Sequence, residues 1–441
     1  MGTADLHNRV FDWPPIVSLR TLCKMALLLV CVLSPLENLK VMDVQPVEVG
    51  LLFLLCGASV GLHRNGWRAA IPLPLKWLGI HYCSLLVMAS VFAILSLRFE
   101  YHVPVEAADH LLKQPGILPL SKLVELALVI LSTVVIARLL IVDRGLLGFA
   151  GRVYVQIGVV NGLFAITSWL LLVYAGVDVL GAYFGGASDV PRARGFFNEG
   201  GPYGMYACSV MAVALARRYV ARDIGRMAMV WVLAVMGASV VLAESKAAYL
   251  FFAAVGLWWS LRRIQLRRMV IGCAAVAVVL VWTPLPGAVE GYWYSYRALE
   301  GFAAAHPDDR LQVMGRVAAI YIAPRVVEAH PITGVGLGNY SLVRNDPRYL
   351  GALPETDGWD LPGLGLVGYA ADLGLPLLGY LIWLIWRPVS IAVRRKAPNW
   401  VVLLSAYQFF AQLFGVQITF FYPWFVTAVA LGYSLQADQR A

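Results

Sequence analysis

The sequence predicts an all-α integral membrane protein with about twelve transmembrane helices. Of its 441 residues, 60% are hydrophobic and only 14% are charged, whereas soluble domains are nearer to half apolar and a quarter charged. The apolar residues also fall in runs of about 20, the length that crosses a bilayer as a helix. The composition excludes a water-soluble enzyme, because a soluble core cannot enclose so much apolar surface.

The predicted spans run through the whole chain, so that residues 1–441 form a single polytopic membrane domain. Each span is placed by its central apolar residue. The centres lie near Leu29, Leu54, Val87, Ile130, Ser168, Met211, Val235, Gly256, Val278, Tyr380, Leu404 and Val426.

Basic residues occur in short clusters between the apolar runs. The clusters follow every second span, at Arg64–Lys76, Arg138–Arg152, Arg217–Arg226, Arg262–Arg268 and Arg387–Lys396. Lys and Arg accumulate in cytoplasmic loops, so this alternation places the N-terminus and these five loops in the cytoplasm. The net charge of +9 is explained by this topology, and nucleic acid is not expected as a partner. The six cysteines form no CxxC pair and predict neither a disulfide nor a metal site.

Two loops on the opposite face are long and polar. The first runs from about Gly176 to Gly201, and the second is an insertion at residues 286–361, between the ninth and tenth spans. The insertion contains an amphipathic helix that Pro331 is expected to end, and a Gly-rich stretch follows it. Loops of this length in a compact protein are usually functional, so any chemistry is predicted on the non-cytoplasmic face.

Three polar clusters lie on that face. The first is Arg192 to Gly204, RARGFFNEGGPYG, and the second is the turn Glu244-Ser245-Lys246. The third belongs to the insertion and comprises Arg316, His330, Glu355, Asp357 and Asp360. A guanidinium keeps its proton and contacts two oxygens at once, which suits phosphate. A lipid-linked pyrophosphate is therefore the expected partner, and an acceptor hydroxyl would still need a base.

Structural interpretations compete with these. Loop arginines commonly contact lipid phosphates or nearby carboxylates, and Lys246 could extend to the interface from a helix end. His330 before Pro331 is also suited to ending a helix. Two carboxylates within apolar segments are expected to be satisfied locally: Asp372 by capping or pairing, and Glu125 by pairing with Lys122 three residues earlier.

The spacing of these motifs resembles that of the O-antigen ligase and polymerase superfamily of bacterial envelopes. Arg316 is followed by His330-Pro331 and then by Gly334–Tyr340, GVGLGNY, which is similar to the family pattern R…HPxxGxGxxxF/Y. The stretch Arg192–Glu199 is similar to the family's Arg-x-x-Gly-x-Phe before a span. Ser245-Lys246 lies where relatives often have Ser-Arg. The ligase/polymerase-like region covers about residues 185–390.

The resemblance implies a membrane glycosyltransferase with an undecaprenyl-pyrophosphate-linked glycan as donor and a glycan or lipid A core as acceptor. By the motif match, Arg192 and Arg316 hold the donor pyrophosphate, with Arg194 as a neighbouring candidate. Lys246, His330, Asn339 and Tyr340 are expected to bind substrate. The resemblance also implies a bacterial inner-membrane location, a periplasmic active face, contact with membrane lipids, and no metal or other cofactor.

One departure from the family favours a polymerase over a ligase. Ligases usually carry a histidine about nine residues before an acidic-Leu-Gly motif. That motif is present as Asp372-Leu373-Gly374, but no histidine lies between His330 and the C-terminus. Glu355, Asp357 or Asp360 is expected to act as the base in its place. The alternatives are an O-antigen ligase that transfers glycan to lipid A core, a flippase for lipid-linked glycan, and an inactive scaffold.

Overall fold

Every regular element that the structure describes is a helix, as the composition predicts. The structure is a computed structural model that describes residues 19–37, 45–65, 71–181, 191–261, 316–351, 353–356 and 365–436. It also describes a few positions between 287 and 301. No strand occurs among these residues.

Up to residue 261, the described chain contains nine α-helices, besides short 3-10 helices at Ser34–Leu36 and Leu111–Lys113 and a π-helical turn at Arg217–Ala221. They are α1 (Leu19–Leu33), α2 (Pro46–Asn65), α3 (Leu73–Ser96), α4 (Val105–Ala108), α5 (Ile117–Val142), α6 (Arg144–Ala175), α7 (Gly200–Ala216), α8 (Arg226–Ala243) and α9 (Lys246–Leu261). The described part of the second half contains α10 (Arg316–Ala329), α11 (Tyr340–Val343), α12 (Pro347–Leu350), α13 (Leu366–Arg394), α14 (Asn399–Leu413) and α15 (Phe421–Gln436).

Five of the described helices are long and apolar enough to cross a membrane: α3, α5, α6, α8 and α13. Shorter apolar stretches lie in α2 and α9, at Pro46–Gly57 and Lys246–Leu257. The chain is therefore a multi-pass membrane protein. Eleven predicted span centres lie on described helices, and the twelfth, Val278, is outside the described residues. The count of twelve spans stays a prediction, because five of the helices that carry these centres, α1, α7, α9, α14 and α15, have only 15 to 17 residues each.

One end of the helix bundle is held by basic residues. Asp143 caps α6 by accepting hydrogen bonds from the backbone N–H groups of Gly145 (2.7 Å) and Leu146 (3.3 Å). The same carboxylate lies 2.9 Å from Nε of Arg20 at the start of α1. Arg217 pairs with Asp223 at 2.9 Å in the connection between α7 and α8. This end, which also carries the end of α13 at Arg394, is called the basic end.

The opposite end is held by aromatic and backbone contacts. The backbone N–H of Tyr422, at the start of α15, donates to Glu37 at 2.8 Å, just after α1. The hydroxyl of Tyr422 donates to the carbonyl of Pro202 at 3.3 Å, in the first turn of α7. Tyr369, in the first turn of α13, donates to the carbonyl of Val416 at 3.1 Å. These contacts place the residues before α7 and α13 at one end, the loop end, which also carries residues 330–356.

The helices differ in how much of their surface other helices cover. α15 is buried along almost its entire length, so it lies at the centre of the bundle. In α3, only 28% of the residues in the most apolar stretch of the helix are buried. An apolar helix with that much open surface is suited to contact with lipid, and α3 therefore lies at the periphery of the bundle.

Candidate functional site

The stretch around Arg192 is folded back onto α8. The backbone N–H of Ala193 donates to the carbonyl of Leu242 at 2.9 Å, and a Cβ at Gly200 would collide with the carbonyl oxygen of Ala243. Gly195 has a positive φ of 53°, which residues other than glycine adopt at a cost. Gly200 therefore lets the loop lie directly against the end of α8, and Gly195 allows the left-handed turn within the loop.

The turn between α8 and α9 lies against the same loop. Glu244 ends α8 in a left-handed conformation, with φ of 48°. The buried hydroxyl of Ser245 donates to the carbonyl of Gly201 at 3.0 Å and accepts from the backbone N–H of Ala248 at 3.4 Å. Ser245 thus caps α9 and joins it to the start of α7. Two of the three clusters predicted from the sequence, Arg192–Gly204 and Glu244–Lys246, are brought together in this way.

The two arginines of the loop have different surroundings. Nε of Arg192 lies 3.6 Å from Oε2 of Glu244, and their side chains are 41% and 42% exposed. Arg194 donates to both carboxylate oxygens of Asp178, at 2.8 and 3.0 Å, and these side chains are only 15% and 22% exposed. The ion pair between Arg192 and Glu244 has a long N–O distance and is exposed to solvent. The guanidinium of Arg192 can therefore exchange Glu244 for another anion at little cost. Arg194 is held in place.

Lys246, the other cation of this cluster, is the first residue of α9 and is half-buried. It follows Ser245 in the turn that Arg192 contacts through Glu244. The structure therefore places Lys246 two residues from Glu244, the carboxylate that Arg192 contacts at the loop end.

The Gly-rich stretch of the insertion is docked on a break in α13. The backbone N–H groups of Val335 and Gly336 donate to the carbonyls of Ala371 and Asp372 at 2.9 and 2.8 Å. In return, Leu375 donates to the carbonyl of Pro331 at 2.8 Å. The break is at Gly374, where φ is 74° and ψ is 165°. The backbone that would have bonded within α13 bonds to the loop instead.

The carboxylate of Asp372 fixes the second half of that loop. Its two oxygens accept hydrogen bonds from the backbone N–H groups of Gly338 (2.9 Å) and Tyr340 (3.0 Å). Asp372 is buried, and a buried carboxylate is stable only when such donors satisfy it. The expectation that Asp372 caps or pairs locally is therefore wrong, because both of its donors lie more than 30 residues earlier in the chain, in the docked loop. The acidic-Leu-Gly motif supplies both the carboxylate and the glycine at the break.

Asn339 and Tyr340 lie inside the docked loop. Both side chains are buried. The amide nitrogen of Asn339 donates to the hydroxyl of Tyr101 at 3.0 Å and to the carbonyl of Val335 at 2.9 Å. The structure places these two candidate substrate-binding residues where they hold the loop, with their side chains turned toward the protein interior.

His330 ends α10 and packs against residues from two other segments. Its Nε2 lies 2.8 Å from the hydroxyl of Tyr349, and its ring centroid lies 4.2 Å from that of Phe99. Burial lowers the pKa of His330, the nearby guanidinium of Arg348 lowers it further, and Asp346 opposes the shift. His330 is therefore neutral at neutral pH and half-buried, available as a hydrogen-bonding group.

A second ion pair lies beside His330, and the sequence did not single it out. Asp346 is almost fully buried and accepts from Nε of Arg348 at 2.9 Å. Burial alone would raise the pKa of Asp346, but the hydrogen bonds and charge of Arg348 lower it below its ordinary value. His102, from the segment after α3, lies 3.9 Å from Asp346. The dipeptide Asp346-Pro347, typical of a turn and helix start, was the available signal.

The structure describes the remaining candidate residues to different extents. Arg316 is the first residue of α10, and its side chain is not among those described. Glu355 is exposed at the loop end. Asp357 and Asp360 lie outside the described residues. Lys122 pairs with Glu125 at 2.7 Å, as expected from their spacing on one helix.

Comparison with known families agrees with the position of these features. A search of curated proteins finds no match. Residues 231–384 match the family model described as O-Antigen ligase. The matched residues include the α8–α9 turn, the Gly-rich loop and the break at Gly374 on which that loop is docked. This match is confined to residues 231–384, and it supports the resemblance of the chain to the O-antigen ligase and polymerase superfamily.

Proposed function

We propose that the protein is a glycosyltransferase that polymerises a surface polysaccharide, such as O-antigen or an exopolysaccharide, from undecaprenyl-pyrophosphate-linked repeat units. The family match indicates a role in the biosynthesis of such polysaccharides. The donor, the polymerising reaction, the inner-membrane location and the periplasmic active face are parts of the proposal.

The surroundings of Arg192 carry the proposal. Its guanidinium is 41% exposed and lies 3.6 Å from Glu244, in the turn that also carries Lys246. A pyrophosphate brings more negative charge than a single carboxylate and offers oxygens for both guanidinium N–H groups. We infer that the donor pyrophosphate displaces Glu244 from Arg192. The lipid tail of the donor would then lie along the apolar helices below the loop end.

The reaction needs charge stabilisation and one proton acceptor. The bond between C1 of the donor sugar and the pyrophosphate oxygen breaks, and a bond forms between C1 and the acceptor hydroxyl oxygen. Negative charge develops on the leaving pyrophosphate, and a fixed guanidinium stabilises it there without a metal ion. We assign this role to Arg192 and, from the motif match, to Arg316.

The acceptor hydroxyl loses its proton to a base in the same insertion. Glu355 is exposed at the loop end and is the candidate base whose position the structure describes. Asp357 and Asp360 are close to it in sequence. A carboxylate base suits an acceptor that is deprotonated late, while its new bond to C1 is forming. His330, held neutral beside Tyr349, is positioned to bind a sugar hydroxyl.

The test is the profile of envelope glycans in the host after deletion of the gene. A polymerase predicts that long polymer disappears while single repeat units remain attached to their acceptor. Intact polymer left on its lipid carrier, together with bare lipid A core, would instead establish an O-antigen ligase. An unchanged profile would contradict both activities.

A transport role is separated from an enzymatic one by purified protein. When the protein is mixed with lipid-linked repeat units in detergent, there is no second compartment, so a flippase can form no product. Lengthened glycan under those conditions requires transferase activity. If correctly folded protein produces no lengthened glycan, transport is favoured.

A further inference from the structure

An aromatic and cationic cluster lies between α3 and α13, away from the loop end. Nδ1 of His81 lies 2.8 Å from the hydroxyl of Tyr380, and that hydroxyl also donates to the backbone carbonyl of His81 at 3.2 Å. The His81 ring meets Trp383 edge-on at a centroid distance of 4.9 Å. Trp77, one turn before His81, lies 6.3 Å from it. We call Trp77, His81, Tyr380 and Trp383 the aromatic cluster.

Two cations lie on one side of the aromatic cluster, at about the same depth. The guanidinium of Arg387 is stacked over the ring of Trp383, with its carbon 5.0 Å from the ring centroid. Lys76 is five residues before His81, and Arg387 is four residues after Trp383. Because α3 and α13 run in opposite directions, both cations are displaced by about 6–8 Å toward the basic end. Neither has a carboxylate partner among the described residues.

The cluster faces outward from the bundle. Trp77 is 51% exposed and Trp383 is 40% exposed, and the adjacent Ile80 and Trp386 are exposed as well. A small soluble anion would leave this apolar surface uncovered. A ligand that fits both features has an anionic head for Lys76 and Arg387 and an apolar tail for the two tryptophans. Basic pockets between transmembrane helices bind such lipid head groups.

We propose that this groove binds one anionic phospholipid, whose phosphate contacts Arg387 and Lys76 and whose acyl chain lies on Trp77 and Trp383. His81 and Tyr380 hold the two helices at the spacing that the tail needs. The site lies toward the basic end, whereas the proposed donor site is at the loop end. It is therefore independent of the proposed function.

The test uses native mass spectrometry of the full-length protein in detergent, titrated with phosphatidylglycerol or phosphatidylcholine. We expect one phosphatidylglycerol to be retained selectively. The double variant Lys76→Gln, Arg387→Gln should weaken its binding about 25-fold, at about fivefold for each cation removed near an anionic head group. Both changes are at helix surfaces, so folding should be maintained.

Two controls make the outcome decisive. Arg394→Gln removes an exposed cation from the basic end of α13 without touching the aromatic cluster, and it should leave binding unchanged. Millimolar inorganic phosphate should not displace the lipid, because phosphate lacks the tail. Equal binding of both lipids, an equal loss in Arg394→Gln, or displacement by phosphate would overturn the proposed site.

Discussion

Arg192 and Arg194 are two residues apart, and their surroundings give them different roles. The exposed pair between Arg192 and Glu244 contributes about 0–1 kcal/mol to stability, as surface ion pairs do. The half-buried, two-pronged pair between Arg194 and Asp178 is a stronger interaction, since removing one partner would leave a carboxylate poorly solvated. We therefore assign Arg192 to the substrate and Arg194 to the loop that carries it.

Arg192→Ala should lower the rate of polymer formation by at least about 100-fold, which is the typical cost of losing one group that stabilises transition-state charge. The melting temperature of the purified protein should stay unchanged. Arg192→Lys should restore little activity, because an ammonium cannot contact two oxygens in a fixed plane. The measurements are polymer length in cells and thermal unfolding in detergent.

Arg194→Ala is the matched control for this prediction. It should lower stability by about 1–3 kcal/mol, seen as a lower melting temperature, while the protein that remains folded keeps most of its activity. Normal polymer in Arg192→Ala at normal expression would exclude Arg192 from the mechanism.

At the scale of secondary structure, a few close contacts fix how the loops lie on the helices. The α8–α9 turn contacts α7 so closely that a Cβ at Gly204 would overlap the side chain of Ser245. The break in α13 likewise has room for the Gly-rich loop only because Gly374 and Gly334 have no side chains there. Small residues in these positions let helices and loops approach each other, as in membrane proteins generally.

Gly204→Ala should destabilise the protein by about 1–3 kcal/mol, the usual cost of adding a methyl group to a packed contact. It should also lower activity, because the displaced turn carries Glu244, Ser245 and Lys246. Thermal unfolding and polymer length are the measurements.

Gly237→Ala, within α8, serves as the comparison, since nothing lies within 4 Å of a Cβ at that position. It should leave stability unchanged or raise it by about 0.5–1 kcal/mol. Equal melting temperatures for Gly204→Ala and the native protein would show that this contact does not position the turn.

At the scale of the whole molecule, the contacts between helix ends separate a loop end from a basic end. Glu355 belongs to the first, and Arg144, the first residue of α6, belongs to the second. Both are exposed. If the helices alternate across the membrane as the basic loops predict, these two residues lie on opposite sides of it.

Glu355→Cys should react in intact spheroplasts with a maleimide that cannot cross the membrane, because the loop end is predicted to be periplasmic. Arg144→Cys should react only after the membrane is permeabilised. The unmodified protein gives the background from its native cysteines. Labelling of both variants in intact spheroplasts would contradict the predicted topology, and the reverse pattern would invert it.

The sequence by itself determined the helical membrane class, since a chain this apolar cannot fold in water. It also indicated the family through the order and spacing of Arg192, Arg316, His330-Pro331 and the glycines, because motif order and spacing can be read from the sequence without knowing which residues are in contact. Eleven predicted span centres lie on described helices, since an apolar run of spanning length has little alternative to a helix in lipid.

Only the tertiary structure decided which residues of the motifs meet. It showed that Arg192 contacts Glu244 and that Arg194 is bound by Asp178. Neither carboxylate is close in sequence to the arginine that it contacts. The structure also showed that Asp372 binds the backbone of the Gly-rich loop, and it joined His330 to Tyr349. Partner choice depends on burial and on contacts between distant segments, and neither is encoded in local spacing.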